Sequence, residues 1–566
     1  MNGKPARARR AGFVSLPSIR WLKEVVFAVL CFFVPKWAFC ALFSFRPEGN
    51  AGTEAFLFEK GGAALEIQNL SLWLNRDGRP LLEHFSMSLL PGDKAVIIGE
   101  EGNGKSTLLK YLYDPALTAE YCHGEGRVIC RGRPAYLPQT LPAFLWETPV
   151  CELVPAEGLY AHPQLPEELG LCWELLLSRR PMGTLSGGEK VKVQLASLLC
   201  AEPDVLLLDE PTNDLDIETL EWLEGFLQRT RLPVLYISHD ETLIRRTATR
   251  IVHLEQLIRK SRCRATVTRA GYDDYLAFRR GSFAHQAQVA QKQRDDYDRQ
   301  LERWRQIYQK VEQAQGAISR QNPSGGRLLK KKMHSVLSME RRFTREKEAF
   351  LDFPEEEEAI VARFDPAVQL PAGKLTVDFS LPELRRGDRV LARDILLQVK
   401  GGGHIGITGK NGAGKSTLLA ALRQSLLTRR DITLGYMPQN YSEVLPDGCS
   451  ATEYLAPRGD KESITQARTR LGSLRFTHEE MTCPLSALSG GQRAKVLLLD
   501  MVLRRADVLL LDEPTRNFSP LSGPVVRGAL AEFGGAIVSV SHDRSYLEEV
   551  CQQVYVLTET GLIRQT

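Results

Sequence analysis

Eleven cysteines are scattered along 566 residues, and no two of them form a C-x-x-C pair. That argues against a zinc or dithiol redox site. An odd count without a spacing framework fits reduced thiols in a cytosol rather than a disulfide scaffold. An excess of charge of either sign is also missing. Lysine and arginine number 73 against 69 acids, a net of +4, so any basic surface has to be sought locally. Long apolar runs are nearly absent. A membrane exporter carries about six spanning helices of about 20 apolar residues each. Only residues 25–45 come near, and Pro35 and Lys36 interrupt them, where a charge is expensive in hydrocarbon. With Lys4, Arg7, Arg9 and Arg10 ahead of it, this stretch has three readings: a cleaved signal, a membrane anchor, or sequence upstream of the working protein. The length suggests roughly three to five domain-sized units.

What is present is an internal repeat. GEEGNGKST at 99–107 recurs as GKNGAGKST at 409–417, and YLPQ at 136–139 as YMPQ at 436–439. LSGGE at 185–189 recurs as LSGGQ at 488–492, VLLLDEPT at 205–212 at 508–515, and SHD at 238–240 at 541–543. Five motifs in one order make chance recurrence negligible. Each half runs from an apolar strand through a glycine-rich loop into a helix, then through a variable middle to two more apolar strands. Continuous apolar runs between helical patterns predict buried parallel strands, an α/β fold.

The chemistry follows from residue types. Gly99, Gly104, Lys105 and Ser106 match G-x-x-x-x-G-K-[ST], and Gly409, Gly414, Lys415 and Ser416 repeat it. Backbone N–H groups of such a loop wrap phosphates, here with Glu100, Glu101, Gly102, Asn103 and Thr107 in the first and Lys410, Asn411, Gly412, Ala413 and Thr417 in the second. The lysine reaches the outer phosphates, the serine hydroxyl ligates Mg²⁺, and the following helix adds its N-terminal dipole. Asp209 and Asp512 end aliphatic runs where a strand delivers a carboxylate toward Mg²⁺; Glu210 and Glu513 follow, placed to polarise an attacking water. Gln139 and Gln439 are candidates to hold Mg²⁺ or that water. His239 and His542 gain a catalytic reading because they recur in register. Ser186, Gly187, Gly188 and Glu189, like Ser489, Gly490, Gly491 and Gln492, form a second anion-binding device, a hydroxyl and backbone donors at a helix start.

Together these motifs resemble the ATP-binding cassette superfamily over about 65–260 and 368–560. The resemblance implies cassettes paired head to tail, each ATP held between one P-loop and the opposite signature. One site would then join residues 99–107, Glu210 and His239 to Ser489–Gln492, and the other residues 409–417, Glu513 and His542 to Ser186–Glu189. The halves differ after DEPT: NDLD at 213–216 faces RNFSPLSG at 516–523, so Ser519 stands where Asp216 would. Both glutamates are retained, which predicts two sites able to hydrolyse ATP.

Between the halves, residues 278–321 and 327–350 read as two helices joined by a turn at NPSGG, 322–326, an αα-hairpin. EEEE at 355–358 reads as a solvated connector. From Arg279 to Ala349 there are 17 lysines and arginines against eight acids, an excess of +9 in a chain that carries +4 overall. Lys330, Lys331, Lys332, Arg341, Arg342, Arg345 and Lys347 lie on the second arm and are candidates to contact RNA phosphates. Trp304 and Tyr308 read as packing the arms together. The expected layout is an N-terminal extension at 1–62, a cassette at 63–277, a hairpin linker at 278–358 and a second cassette at 359–566.

Two fused cassettes without a transmembrane domain, joined by a basic hairpin carrying RLLKKKMHSV at 327–336, resemble the ABC-F family. That resemblance implies a cytoplasmic monomer using ATP and Mg²⁺, with no obligate membrane partner. Its partner would be the ribosome, with the hairpin meeting ribosomal RNA and tRNA near the exit site to relieve stalling or displace an antibiotic. The short turn at the tip weighs against direct reach into a drug site, while RNFSPLSG resembles resistance-associated members. Two other readings stay open: the ATPase component of a membrane transporter, and a nucleic-acid-binding ATPase acting on branched DNA.

Overall fold

The computed structural model describes residues 63–257, 262–317, 323–348, 364–365 and 368–565. The N-terminal stretch 1–62 and the acidic run 355–358 lie outside the described residues. The described chain falls into two compact units. One comprises residues 143–185 and 192–202; the other takes in 63–142, 186–191 and the described residues from 203 onward.

The smaller unit is built from short helices, Val150–Leu153, Ala156–Ala161, Leu165–Leu169 and Trp173–Leu176. Pro149 bridges Pro181, and the Ser197 hydroxyl donates to the Leu153 carbonyl over 2.7 Å. Tyr160 stacks on Trp173.

The larger unit holds two cassette cores. In the first, strands β1 (Leu65–Leu74), β2 (Pro80–Leu89) and β4 (Cys122–Cys130) form an antiparallel sheet in the order β2-β1-β4. Strands β3 (Lys94–Ile98), β5 (Pro134–Leu137), β6 (Val205–Asp209), β7 (Val234–Ile237), β8 (Arg250–Leu257) and β9 (Arg262–Thr268) form a six-stranded sheet, ordered β5-β6-β7-β3-β8-β9. Only the β8–β9 pairing in it is antiparallel. Every residue of β3, β6 and β7 is buried, as continuous apolar runs of a parallel sheet require.

The second core repeats this with β10 (Leu375–Arg386) and β11 (Arg389–Lys400) as a hairpin, and β12 (His404–Thr408), β13 (Leu434–Met437), β14 (Val508–Asp512), β15 (Ala536–Val540), β16 (Gln553–Thr558) and β17 (Gly561–Gln565) as the sheet β13-β14-β15-β12-β16-β17. The first core has a third antiparallel strand, β4, whereas residues 427–433 of the second only turn between a helix and β13. In both cores the antiparallel layer and the P-loop helix close over the sheet, and Leu108, Leu109, Leu418 and Leu419 are fully buried there.

The linker pairs helix Tyr272–Ala317 with helix Pro323–Glu348. The first helix begins a turn and a half ahead of the expected 278. Tyr272, Tyr275 and Arg279 share one face at helical spacing and are all buried. The Tyr275 hydroxyl meets His253 Nδ1 at 2.7 Å, and Arg279 donates to Glu255 over 2.9 Å, both partners lying on β8. Burial drives the His253 imidazole down to about 3, so it is neutral and free to accept at Nδ1. Tyr272 donates its hydroxyl hydrogen to the Pro520 carbonyl over 3.0 Å, which fixes the helix root to the second cassette. The second helix begins at Pro323, inside the stretch expected to be turn, because proline at a first helical position sacrifices no intrahelical bond. The residues between the arms, 318–322, lie outside the described ones. Along the arms, Trp304 donates its indole N–H to the Val336 carbonyl over 2.8 Å and packs its ring on Tyr308, and Tyr297 meets Phe343 edge-on.

Candidate functional site: two nucleotide sites across a charge-paired interface

Each P-loop leaves its strand with Gly99 or Gly409 and enters its helix through Gly104 or Gly414 in the left-handed region, φ 84° and 101°. A Cβ at Gly99 would lie 2.2 Å from the Leu254 carbonyl oxygen, so no other residue fits this turn. Lys105 Nζ donates to the carbonyls of Gly99 and Glu100 at 2.8 and 3.0 Å. Lys415 does the same with Gly409 and Lys410 at 2.7 and 3.0 Å. Asn103, expected among the phosphate-facing residues, is buried and donates to the Leu254 carbonyl over 3.0 Å. Thr107 bonds to Tyr121, and Thr417 lines the second site.

Ser106 donates to Asp209 over 2.9 Å, and the Ser416 hydroxyl bonds to Asp512. Among the described residues no group of three or more His, Cys, Asp or Glu could hold a metal. A serine hydroxyl beside one carboxylate is nonetheless a donor set that suits Mg²⁺, which takes one or two carboxylates and completes its octahedron with phosphate and water oxygens. Burial raises both aspartates, an effect opposed by these serine hydroxyls. Tyr136 also donates to Asp209 over 3.0 Å, a contact that the tyrosine shared by YLPQ and YMPQ could have signalled.

Glu210 and Glu513 both take left-handed backbone, φ 48° and 51°, a strained conformation that turns each away from its strand. Their surroundings differ. Burial favours the neutral acid of Glu210, but His239 Nε2 at 3.3 Å, Lys105 and Asn213 outweigh it and hold the carboxyl at about 2. Gln139 and Asn213 donate to its Oε2 at 2.8 and 2.7 Å. Burial and then Asp512 push Glu513 up to about 8, with His542 Nε2 a distant 4.0 Å away. Burial and Lys415 lower His542 to about 4. Gln439, the counterpart of Gln139, instead donates to Asp214 of the other cassette over 3.4 Å.

The two halves face each other head to tail. Glu101 accepts the Gly491 N–H over 2.6 Å. Glu100 accepts from the hydroxyls of Ser519, at 3.0 Å, and Ser522, and lies 3.6 Å from Lys495. Burial favours its neutral acid, yet Lys495 and the two hydroxyls hold its carboxyl below the usual range. His239 Nδ1 lies 2.7 Å from the Phe518 carbonyl, to which it donates. On the other side Asn411 donates to the Asp214 carbonyl, Arg516 pairs with Asp214 at 3.0 Å, and exposed Lys410 lies 3.9 Å from Glu218. Here the P-loop, Glu513 and His542 line a cavity of about 470 Å³ with Arg386, Arg389 and Leu391. In both signatures the serine accepts from the N–H three residues on, 3.3 Å in each, and Glu189 or Gln492 returns the bond, so Ser186 and Ser489 also act as caps. Asp216 caps helix Ile217–Arg229; Ser519, in its place, likewise accepts the N–H three residues on, that of Ser522 at 3.2 Å, and in addition donates across the interface to Glu100.

Ion pairs buried beside these sites are not legible in any motif. Glu241 and Arg544 stand two residues after His239 and His542; Glu224 and Arg527 stand eight after Asp216 and Ser519. Arg527 holds Glu241 bidentately at 2.6 and 3.2 Å, and Arg544 pairs with Glu224. Matching positions thus carry acids in the first half and bases in the second, so unlike halves attract and two like halves would set charges of one sign together.

The ABC transporter family matches residues 82–213 and 392–516. The tylosin resistance ATP-binding protein TlrC of Streptomyces fradiae is 30% identical over 538 residues, 83% of this chain and 93% of that one. The ribosome protection protein VmlR of Bacillus subtilis is 27% identical over 510 residues, 86% of this chain and 85% of that one. An archaeal ribosome recycling factor, aABCE1, solved with the stalk protein aP1, shares the fold at TM-score 0.51 and 18% identity, covering 88% of this chain and 90% of that one. Among the described residues no helix is long and apolar enough to cross a membrane. With two cassettes, a helical hairpin between them and a relative of this closeness, the chain is an ATPase that belongs to the ABC-F family.

Proposed function

We propose that this ATPase acts on the ribosome, setting its hairpin near the tRNA exit site to relieve a stall or displace an antibiotic. The observation that carries the reading is the second arm: Lys330, Lys331, Lys332, Arg341, Arg342 and Arg345 all expose their side chains along one helix, where phosphates can be met. The side chain of Lys347 lies outside the described ones. The names of VmlR and TlrC support the same direction.

The catalytic roles are part of this proposal. The backbone of each P-loop and Lys105 or Lys415 bind the phosphates of ATP. Ser106 with Asp209, and Ser416 with Asp512, would hold Mg²⁺, which when bound neutralises phosphate charge. Glu210 and Glu513 orient the water and take its proton; Gln139 and His239 hold Glu210 in place. Ser489–Gln492 and Ser186–Glu189 contribute from the opposite cassette. ATP binding closes the interface and fixes the hairpin, and hydrolysis releases it.

The test is co-sedimentation of Glu210→Gln/Glu513→Gln protein with ribosomes in ATP at moderate salt. Retention is expected; a trapped form that stays in the supernatant sinks the reading. Changing Lys330, Lys331 and Lys332 to Glu should weaken binding and flatten its salt dependence, by about one unit of log–log slope for each phosphate the arm no longer neutralises.

A further inference from the structure

We infer that Glu101 is a specificity-determining residue that makes the first nucleotide site nearly blind to the terminal phosphate of a nucleoside triphosphate. This rests on the head-to-tail sites proposed above.

The signature helix Gly490–Leu503 has N–H groups at its first turn that no intrahelical carbonyl can satisfy. The Gln492 N–H goes to the Ser489 hydroxyl, and the Gly491 N–H goes to Glu101. A carboxylate of the first P-loop therefore holds a donor that a terminal phosphate on that loop would need from the opposite cassette. The glycine pair makes room for it: a Cβ on Gly490 would lie 3.2 Å from both carboxylate oxygens. Glu100 beside it draws on the nearby cation, Lys495, and on the hydroxyls of Ser519 and Ser522. A third phosphate entering this site meets an anion already bound to the signature. It must displace that anion at the cost of charge repulsion, or forgo the contact.

The second site is built the other way. Asn411 stands where Glu101 does, and its amide N–H turns to the Asp214 carbonyl. No charge of the P-loop at that position competes for the signature, so the second site reads the difference between a di- and a triphosphate through Ser186–Glu189. One substitution in register, Glu for Asn, divides the labour between the sites.

The experiment swaps the two residues in the full chain and measures binding of Mg²⁺–ADP and Mg²⁺–ATPγS by calorimetry, silencing one site at a time. With the second site blocked by Lys415→Ala, the ratio of the two affinities at the first site should lie within about threefold of unity. Glu101→Asn should raise that ratio in favour of ATPγS by about tenfold, 1.4 kcal/mol. Glu101→Gln, which keeps size and removes charge, should move it the same way. With the first site blocked by Lys105→Ala, Asn411→Glu should lower the ratio. If Asn411→Glu lowers it while neither change at Glu101 moves it, the inference fails and the head-to-tail sites stand. If none of the three moves it, the head-to-tail reading falls as well. If Glu101→Asn and Glu101→Gln weaken both nucleotides equally, Glu101 is a structural prop and the inference is overturned.

Discussion

At the first site the P-loop reaches the opposite cassette with Glu100 and Glu101, and at the second with Lys410 and Asn411. The glutamate behind each P-loop differs in parallel. Glu210 is ionised and held on four sides by His239, Gln139, Asn213 and Lys105, whereas Glu513 is pushed toward its neutral acid by burial and Asp512. Duplicated motifs have kept their order, and from the signature onward their spacing, while the charges next to them have diverged. The lesson is that a repeat can keep its motif residues at both sites and still surround each with different charges.

The largest effect that tests this contrast comes from the glutamates. Converting both to Gln should lower the rate of phosphate release about 10²- to 10⁴-fold, the usual weight of a general base. Glu210→Gln alone should cost more than Glu513→Gln alone, because Gln139 and Asn213 hold the Glu210 carboxyl at 2.8 and 2.7 Å, whereas Glu513 has longer contacts, 3.5 Å to the Ser541 hydroxyl and 3.4 Å to the His542 N–H. Equal losses would break the comparison.

A second effect concerns the ion pairs. Arg527→Ala leaves Glu241 buried without its partner, which costs about 3–5 kcal/mol of closure. It should raise the ATP concentration needed for compaction, followed by small-angle scattering. Arg527→Glu should be worse, and adding Glu241→Arg should restore closure; a double swap no better than the single one would show that sign pairing is not what matters here.

The smallest concerns the hairpin root. Tyr272→Phe removes one buried hydrogen bond to Pro520, about 1 kcal/mol. ATP hydrolysis should persist while the hairpin uncouples from it, seen as weaker nucleotide dependence of a distance between labels on an arm and a cassette. An unchanged dependence would place the coupling elsewhere.

How much of the molecule is legible in its sequence depends on the kind of interaction. The buried strands, the P-loops and the pairing of Ser106 with Asp209 follow from local patterns, because strand burial and phosphate binding impose fixed residue types at fixed spacing. The cross-cassette contacts do not. Glu241 and Arg527 sit in unremarkable helices, and only superposing the repeat exposes their reversed charges. The linker's ends escape the pattern for a related reason. Tyr272 and Tyr275 look like loop residues until β8 and Pro520 supply partners, and Pro323 looks like a breaker until it is seen opening a helix.

That anchored root has a mechanical consequence. The helix running from Tyr272 is 46 residues long, a rod of about 69 Å. Its root is bonded to the loop that carries Ser519 and Ser522, the same loop that grips Glu100. A tilt of about 3° at the root sweeps the far end of such a rod through about 4 Å. A displacement at the P-loop too small to open the interface would thus be geared up to the dimension of a hydrogen-bond register, with the length of the arm setting the gain.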